Sequence, residues 1–404
     1  MVAPSLDHSA LPAPGRARGL LIGVGISALS LFVSLGAAEI ILRQVAPAPD
    51  PYLRYKLKSP NPYIRSETQR NFRMRTSVED GLPGMSGSAT FSVNNMGYRG
   101  DSLVVPKPPG EIRIFLVGGS TTECFYIDDS LSMNSIVQNE LNAHLPRGTY
   151  AKVYNAGKSG NAIDDHISMM VHRIVHLQPD VVVVFAGIND LTKSIYHADP
   201  LHFVELDTLA PQWTLGSQLR FAATELQLSR RLYYLLKPLA SKSPTEVFEE
   251  IPAKSGYRER VAIRKSAPRT DARPRVDGEA YRTNLRTLVG VAAAHNVALY
   301  LMTQQTTWNG PDPVSREWQW MLYRDGVVYR PDYMDEALES LNDRMREVAA
   351  AAGIPVYDLA RLVPKTSEFF YDDVHFNVRG ARMAGLGIAS LMLKRGLPSP
   401  DVLP

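Results

Sequence analysis

From residue 111 onward, apolar and polar positions alternate between two periods. Short apolar runs, at 112–117, 181–185 and 297–302, are separated by stretches in which apolar residues recur every three or four positions. The runs predict strands, with shorter ones at 152–154 and 354–357. The spaced stretches predict helices at 130–145, 165–177, 281–295, 334–352 and 379–394. Strands that are apolar throughout and alternate with helices imply a parallel sheet covered on both faces, a three-layer α/β/α body. Sites in such sheets lie at the carboxyl ends of the strands. Polar, glycine-rich clusters follow three successive strands here. No internal repeat is present.

A different pattern opens the chain. Residues 19–38 carry no charge, and apolar residues continue to Leu42 past Glu39. Twenty residues at about 1.5 Å rise span about 30 Å, the depth of a bilayer core. Residues 19–42 are therefore read as an uncleaved transmembrane anchor. A cleaved signal ending near Gly36-Ala37-Ala38 and a core helix are the other readings. Arg16 and Arg18 favour a cytoplasmic N-terminus, whereas Arg43, Arg54, Lys56 and Lys58 argue the other way. A long following domain translocates despite such charges, so the bulk of the chain is expected on the extracytoplasmic, periplasmic side. Residues 1–18 are expected to be disordered, 46–62 to form a proline-rich stalk, and 63–110 a cap or edge segment that includes a strand at 90–93. The main domain is expected over 111–396, with a tail at 397–404 and an insertion at about 200–276. Two segments break the strand–helix order, of which 191–239 reads as helical and aromatic. Residues 254–275, with eight Lys or Arg, read as a mobile, solvated loop, or else as a patch for anionic lipid heads or an acidic polymer.

Composition narrows the function. The 404 residues hold 44 Lys and Arg against 41 Asp and Glu, too small an excess to suggest a nucleic-acid partner. One cysteine, Cys124, leaves no intrachain disulfide and no cysteine-based zinc cluster.

Four blocks carry candidate chemistry: Gly118-Gly119-Ser120-Thr121-Thr122, Asn155-Ala156-Gly157-Lys158-Ser159-Gly160, Gly187-Ile188-Asn189-Asp190 and Asp372-Asp373-Val374-His375-Phe376-Asn377. A serine hydroxyl needs a base within hydrogen-bond reach, and that base needs an orienting carboxylate. Asp372 and His375, three apart, let one turn supply both, with Asp373 the other candidate orienter. A developing oxyanion needs preorganised donors, which glycine turns and an asparagine amide provide. The first block fails the phosphate-loop, dinucleotide and nucleophile-elbow patterns. Asp190 reads as a brace for its turn. His166, His172, His176 and His295 read as structural, and Cys124 as a packed thiol. Trp308, Trp318 and Trp320 read as core residues, or as an aromatic rim for a sugar or acyl group.

Together and in this order, the blocks resemble the SGNH/GDSL hydrolase superfamily over residues 111–396. The run from Val93 to Gly100 (VNNMGYRG) ahead of the first block resembles a bacterial, membrane-anchored subgroup of it. The resemblance implies Ser120 as nucleophile, His375 and Asp372 as its partners, and the Ser120 N–H, Gly160 N–H and Asn189 side chain as oxyanion donors. It implies no metal or organic cofactor. Gly119 departs from the family pattern, where many members have aspartate. The expected activity is hydrolysis of acyl esters, O-acetyl esters above all, of a cell-envelope or exported glycan or lipid. O-acetyl transfer to an exopolysaccharide by the same triad, and a non-catalytic glycan-binding role, are the alternatives. Partners in an envelope glycan assembly system would fit any of the three.

Overall fold

The computed structural model describes residues 14–46, 56–58, 61, 63–64, 66–78, 80–196, 226–236 and 257–397. The chain divides into two compact units, one of residues 1–53 and 210–247 and the other of 54–209 and 248–404.

In the first unit, Pro14–Val45 forms one helix. Its start corrects the expectation of disorder for residues 14–18; residues 1–13 lie outside the described set. The segment Leu21–Val45 has a mean hydropathy of 2.1 and none of it is buried, so this helix is long and apolar enough to cross a membrane. That outward-facing apolar surface argues against a core helix, although a signal sequence has the same character. Glu39 pairs with Arg43 at 2.8 Å and accepts the Gln227 and Leu228 N–H groups at 2.8 and 3.1 Å, the start of a second helix, Gln227–Leu236. A carboxylate there satisfies otherwise orphaned helix donors.

The second unit is built on a five-stranded parallel sheet: β1 (Glu111–Gly118), β2 (Tyr150–Asn155), β3 (Val181–Phe185), β4 (Ala298–Met302) and β5 (Val356–Tyr357). The spatial order is β2-β1-β3-β4-β5, with every neighbouring pair parallel. The order in which the chain adds strands reverses at β1, with β2 on one side and β3 on the other, which opens a crevice beyond the carboxyl ends of β1 and β3.

Side-chain alternation along the strands sorts the helices into two layers. Ile112, Ile114, Leu116, Val181 and Val183 face one way and pack against α2 (Met133–Asn142) and α8 (Val378–Arg395). Phe115, Val117, Val182, Val184, Leu299 and Leu301 face the other way, toward α3 (Ile163–His172), α4 (Ile188–Tyr196), α6 (Gly278–Ala294) and α7 (Pro331–Ala352). This is the expected three-layer architecture. Arg113 breaks the apolar run of β1 and is fully buried; it pairs with Glu111 at 2.6 Å and donates to the Leu177 and Val104 carbonyls.

The boundaries differ from the sequence expectation in three places. Residues 88–103 belong to the body: Ser88–Ser92 pairs with Arg73–Ser77, and Tyr98 and Leu103 join the core beneath β1. In the proline-rich segment, Lys56–Lys58 pairs with Ser66–Thr68. Residues 257–266, expected as part of a mobile loop, form the helix α5 (Tyr257–Ser266), anchored by buried Tyr257 and Val261. Lys254 and most of the segment 200–253, including Trp213, lie outside the described residues, as does the tail beyond residue 397.

Candidate active site

Ser120, His375 and Asp372 meet above the carboxyl end of the sheet. Ser120 opens a one-turn helix, α1 (Ser120–Glu123), directly after β1. His375 and Asp372 come from the loop ahead of α8. An isolated bridge between Phe370 and Phe376, with their rings 5.2 Å apart, pinches that loop. The Tyr371 N–H donates to the His375 carbonyl at 3.0 Å inside the pinch, and Asn377 caps α8 through the Gly380 N–H. Loop geometry, not a long element, thus holds the pair.

His375 Nε2 lies 2.8 Å from Ser120 Oγ, and His375 Nδ1 lies 2.7 Å from Asp372 Oδ2. Asp372 Oδ1 accepts the Val374 and His375 N–H groups at 2.9 and 2.8 Å, and Oδ2 also accepts Trp320 Nε1–H at 3.0 Å. Burial alone would raise the Asp372 pKa. The charge of His375 and the donated hydrogen bonds outweigh it and hold the carboxyl below its ordinary range. Asp373 faces elsewhere: Trp308 Nε1 and the Met321 N–H reach its Oδ1 at 2.6 and 3.0 Å, and the Trp320 N–H reaches Oδ2 at 2.5 Å. Burial, then repulsion from Asp372, pushes it up to about 6. Of the two candidate orienters, only Asp372 touches the imidazole.

Gly160 and Asn189 line the same cleft as Ser120 and His375. Gly160 sits at φ +85°, a turn that glycine takes without strain. Buried Glu123 accepts both the N–H and the hydroxyl of the adjacent Ser159, tying this loop to α1. Asn189 Nδ2 donates to the Asn161 carbonyl at 2.8 Å, which orients the amide and leaves its second hydrogen for a ligand. Asp190 braces its turn as expected, accepting the Ile163 and Gly187 N–H groups at 2.9 and 3.1 Å; burial pushes its pKa up to about 7.

Gly119, the departure from the family pattern, has a physical reason here. A Cβ at this position would lie 2.5 Å from Asn189 Nδ2, although the backbone φ of −84° suits any residue. Gly119→Ala should therefore displace the Asn189 amide without straining the chain. The expected result is a fall in kcat of about a hundredfold, the scale of losing one oxyanion donor. Steady-state kinetics on an aryl acetate, with a thermal melt showing little change, would check it.

The cleft, of about 550 Å³, is also lined by Phe125, Tyr126, Tyr196, Tyr257, Trp320 and Tyr371, and by Arg260 and Arg324. The Tyr371 ring stacks on His375 at 5.5 Å between centroids with an 8° interplanar angle, and its hydroxyl meets that of Tyr257 at 3.1 Å. Trp320 is half-buried, packs against the core and lines the cleft beside Asp372. Trp308 is fully buried in the core. Sequence reading missed Tyr371, Tyr257 and both arginines; the position of Tyr371 next to Asp372 was the available signal. Cys124 is buried with its thiol donating to the Thr121 carbonyl, and burial pushes its pKa up. His166, His172, His176 and His295 do not line the cleft. Among the described residues, no group of three or more His, Cys, Asp or Glu converges as a metal site.

Comparison with known proteins gives the chain its family. The profile of the GDSL-like Lipase/Acylhydrolase family matches residues 116–383. No curated protein sequence matches the chain. Among solved structures, the chain is similar to a lipase/acylhydrolase from Enterococcus faecalis at 18% identity, covering 71% of this chain and 97% of that one, with a TM-score of 0.39. It is also similar to an acetylxylan esterase from Geobacillus stearothermophilus at 16% identity, covering 72% and 97%, with a TM-score of 0.36. With more than half of its length matched by that profile, the chain belongs to the GDSL-like lipase/acylhydrolase family, a family of ester hydrolases.

Proposed function

We propose that the protein is a membrane-anchored serine esterase that removes acyl groups, O-acetyl above all, from a cell-envelope or exported glycan or lipid. The observation that carries this reading is the unbroken hydrogen-bond chain from Ser120 Oγ through His375 to Asp372, at 2.8 and 2.7 Å, opening on a cleft. Ser120 Oγ attacks the ester carbonyl as His375 Nε2 takes its proton. Asp372 holds the Nδ1–H tautomer and stabilises the imidazolium. The Ser120 and Gly160 N–H groups and the Asn189 amide receive the developing oxyanion. His375 then returns the proton to the leaving alcohol, and water, activated in the same way, releases the acid from Ser120. The chemistry needs no redox step, and each proton moved is returned.

The helix Pro14–Val45 supports anchoring through residues 19–42, and Arg16 and Arg18 ahead of it favour the extracytoplasmic side for the catalytic body. A sugar hydroxyl that outcompetes water at the acyl-enzyme would turn the same residues to O-acetyl transfer. Mass spectrometry of products formed from an acetylated glycan decides between them. Free acetate, with or without an added acceptor glycan, is expected; acetate appearing only on the acceptor would replace hydrolysis by transfer.

A further inference from the structure

The catalytic cleft is lopsided in charge. Its lining includes Arg260 and Arg324 and, among the described residues, no Asp or Glu. Arg324 is 5% exposed and makes no ion pair among the described residues. Its Nη1 donates to the Tyr323 carbonyl at 2.8 Å, its Nη2 reaches Thr192 Oγ1 only at 3.5 Å, its Nε has no hydrogen-bond partner among the described residues, and its Cζ lies 5.6 Å from the Trp320 ring centroid. A buried guanidinium left so poorly satisfied is costly unless a ligand completes it. Burial lowers its pKa, and the like charge of Arg260 adds to this. The acid that acts on it, Asp373, already accepts from Trp308, Trp320 and Met321. Arg260 projects from α5 over the Trp320 ring, 4.5 Å from its centroid, and likewise makes no ion pair among the described residues.

Position and shape say what kind of anion fits. Thr192 stands one helical turn beyond Asn189 on α4, so Arg324 faces a point close to the proposed oxyanion site. An anion there belongs to the same small unit as the ester. Much of the rest of the lining is aromatic, with Tyr126, Tyr196, Trp320 and Tyr371, and Met321 is its one aliphatic side chain among the described residues. Such walls suit the faces of a sugar ring and offer no aliphatic channel for a long acyl chain.

We propose that the cleft is selective for O-acyl esters of acidic sugars, with Arg324 and Arg260 binding the sugar carboxylate. This deepens the esterase reading and rests on it. A carboxylate meets the planar guanidinium in a fork that a neutral sugar cannot.

The test compares kcat/KM for acetylated oligogalacturonate with that for its carboxyl-reduced counterpart. The wild-type ratio is expected at about thirtyfold in favour of the acid, the scale of a hydrogen bond to a charged group. Arg260→Ala and Arg324→Met should each cut that ratio about tenfold, and Arg324→Lys should keep part of it. A ratio taken within one variant cancels any general loss of activity. Arg260 is exposed, so its variant remains informative if Arg324→Met fails to fold. Separately, deacetylated oligogalacturonate should bind the Ser120→Ala protein, read by tryptophan fluorescence, and salt should weaken that binding. A wild-type ratio near one, or absent binding, overturns the proposal while Ser120-dependent aryl acetate turnover leaves the esterase reading intact. Binding without any ester turnover sinks the esterase reading and supports the anion site. Tighter binding of glycerol 3-phosphate than of the oligosaccharide overturns the sugar assignment in favour of a phosphate-bearing lipid.

Discussion

Ser120→Ala is expected to lower aryl acetate turnover by about a millionfold, to the level left by binding and the oxyanion donors alone. The reason is geometric. Ser120 Oγ is the group 2.8 Å from His375 Nε2. The other cleft hydroxyls, such as those of Ser159 and Tyr371, are bound to Glu123 and Tyr257. No second nucleophile stands ready, and the buried thiol of Cys124 is pushed away from ionising. The variant should melt like the wild type, since Ser120 is only partly buried. It should also lose labelling by a fluorophosphonate. Retained labelling, or turnover within tenfold of the wild type, would remove Ser120 from the proposed role.

Asp372→Asn should cost about ten-thousandfold in kcat. The carboxylate accepts from His375 Nδ1, from two backbone N–H groups and from Trp320 Nε1. An amide that keeps the backbone contacts through its oxygen must offer N–H groups toward both Nδ1 and Trp320. That favours the imidazole tautomer with its proton on Nε2, which cannot accept the serine proton. Asp373→Asn is the control. Its carboxyl joins Trp308 to the Trp320–Met321 backbone, so the change should lower the melting temperature by several degrees and leave kcat within about tenfold. Kinetics and melts on the two variants should therefore fall in opposite classes. Equal kinetic losses would mean that the carboxylates share the work.

The sheet was legible in the sequence because Ile112, Ile114, Leu116 and the valines of β3 are buried, so that their strands read as apolar runs despite Arg113. The side chains proposed for catalysis were legible for a related reason. Each directly follows a strand or precedes a helix, where short, polar, glycine-bearing blocks stand out. The walls of the cleft were not. Helix α5 hides in a charge-dense stretch because only Tyr257 and Val261 anchor it, too few to set up a period. Arg324 sits in a two-residue strand, Tyr323–Arg324, whose turn carries no hydrophobic signal. Whether a tryptophan such as Trp320 packs or binds depends on which loop folds over it, and that is a tertiary fact. The boundary at residue 111 was misplaced because the segment before it is polar in composition yet enters the core through a few side chains, Phe91, Tyr98 and Leu103 among them.

Arg99 gives that misplaced boundary a practical meaning. It is buried, it donates to the Glu123, Cys124 and Ile127 carbonyls, and it pairs with Asp129 at 2.8 Å. Glu123 and Cys124 end the short turn that carries Ser120, and Ile127 follows it. A minimal fragment cut at the first sheet strand would retain every reactive side chain yet lose the clasp on the nucleophile's own backbone. The smallest competent enzyme must begin upstream of Arg99, and a library that trims the chain to its profile-matched region would discard working catalysts as dead ones.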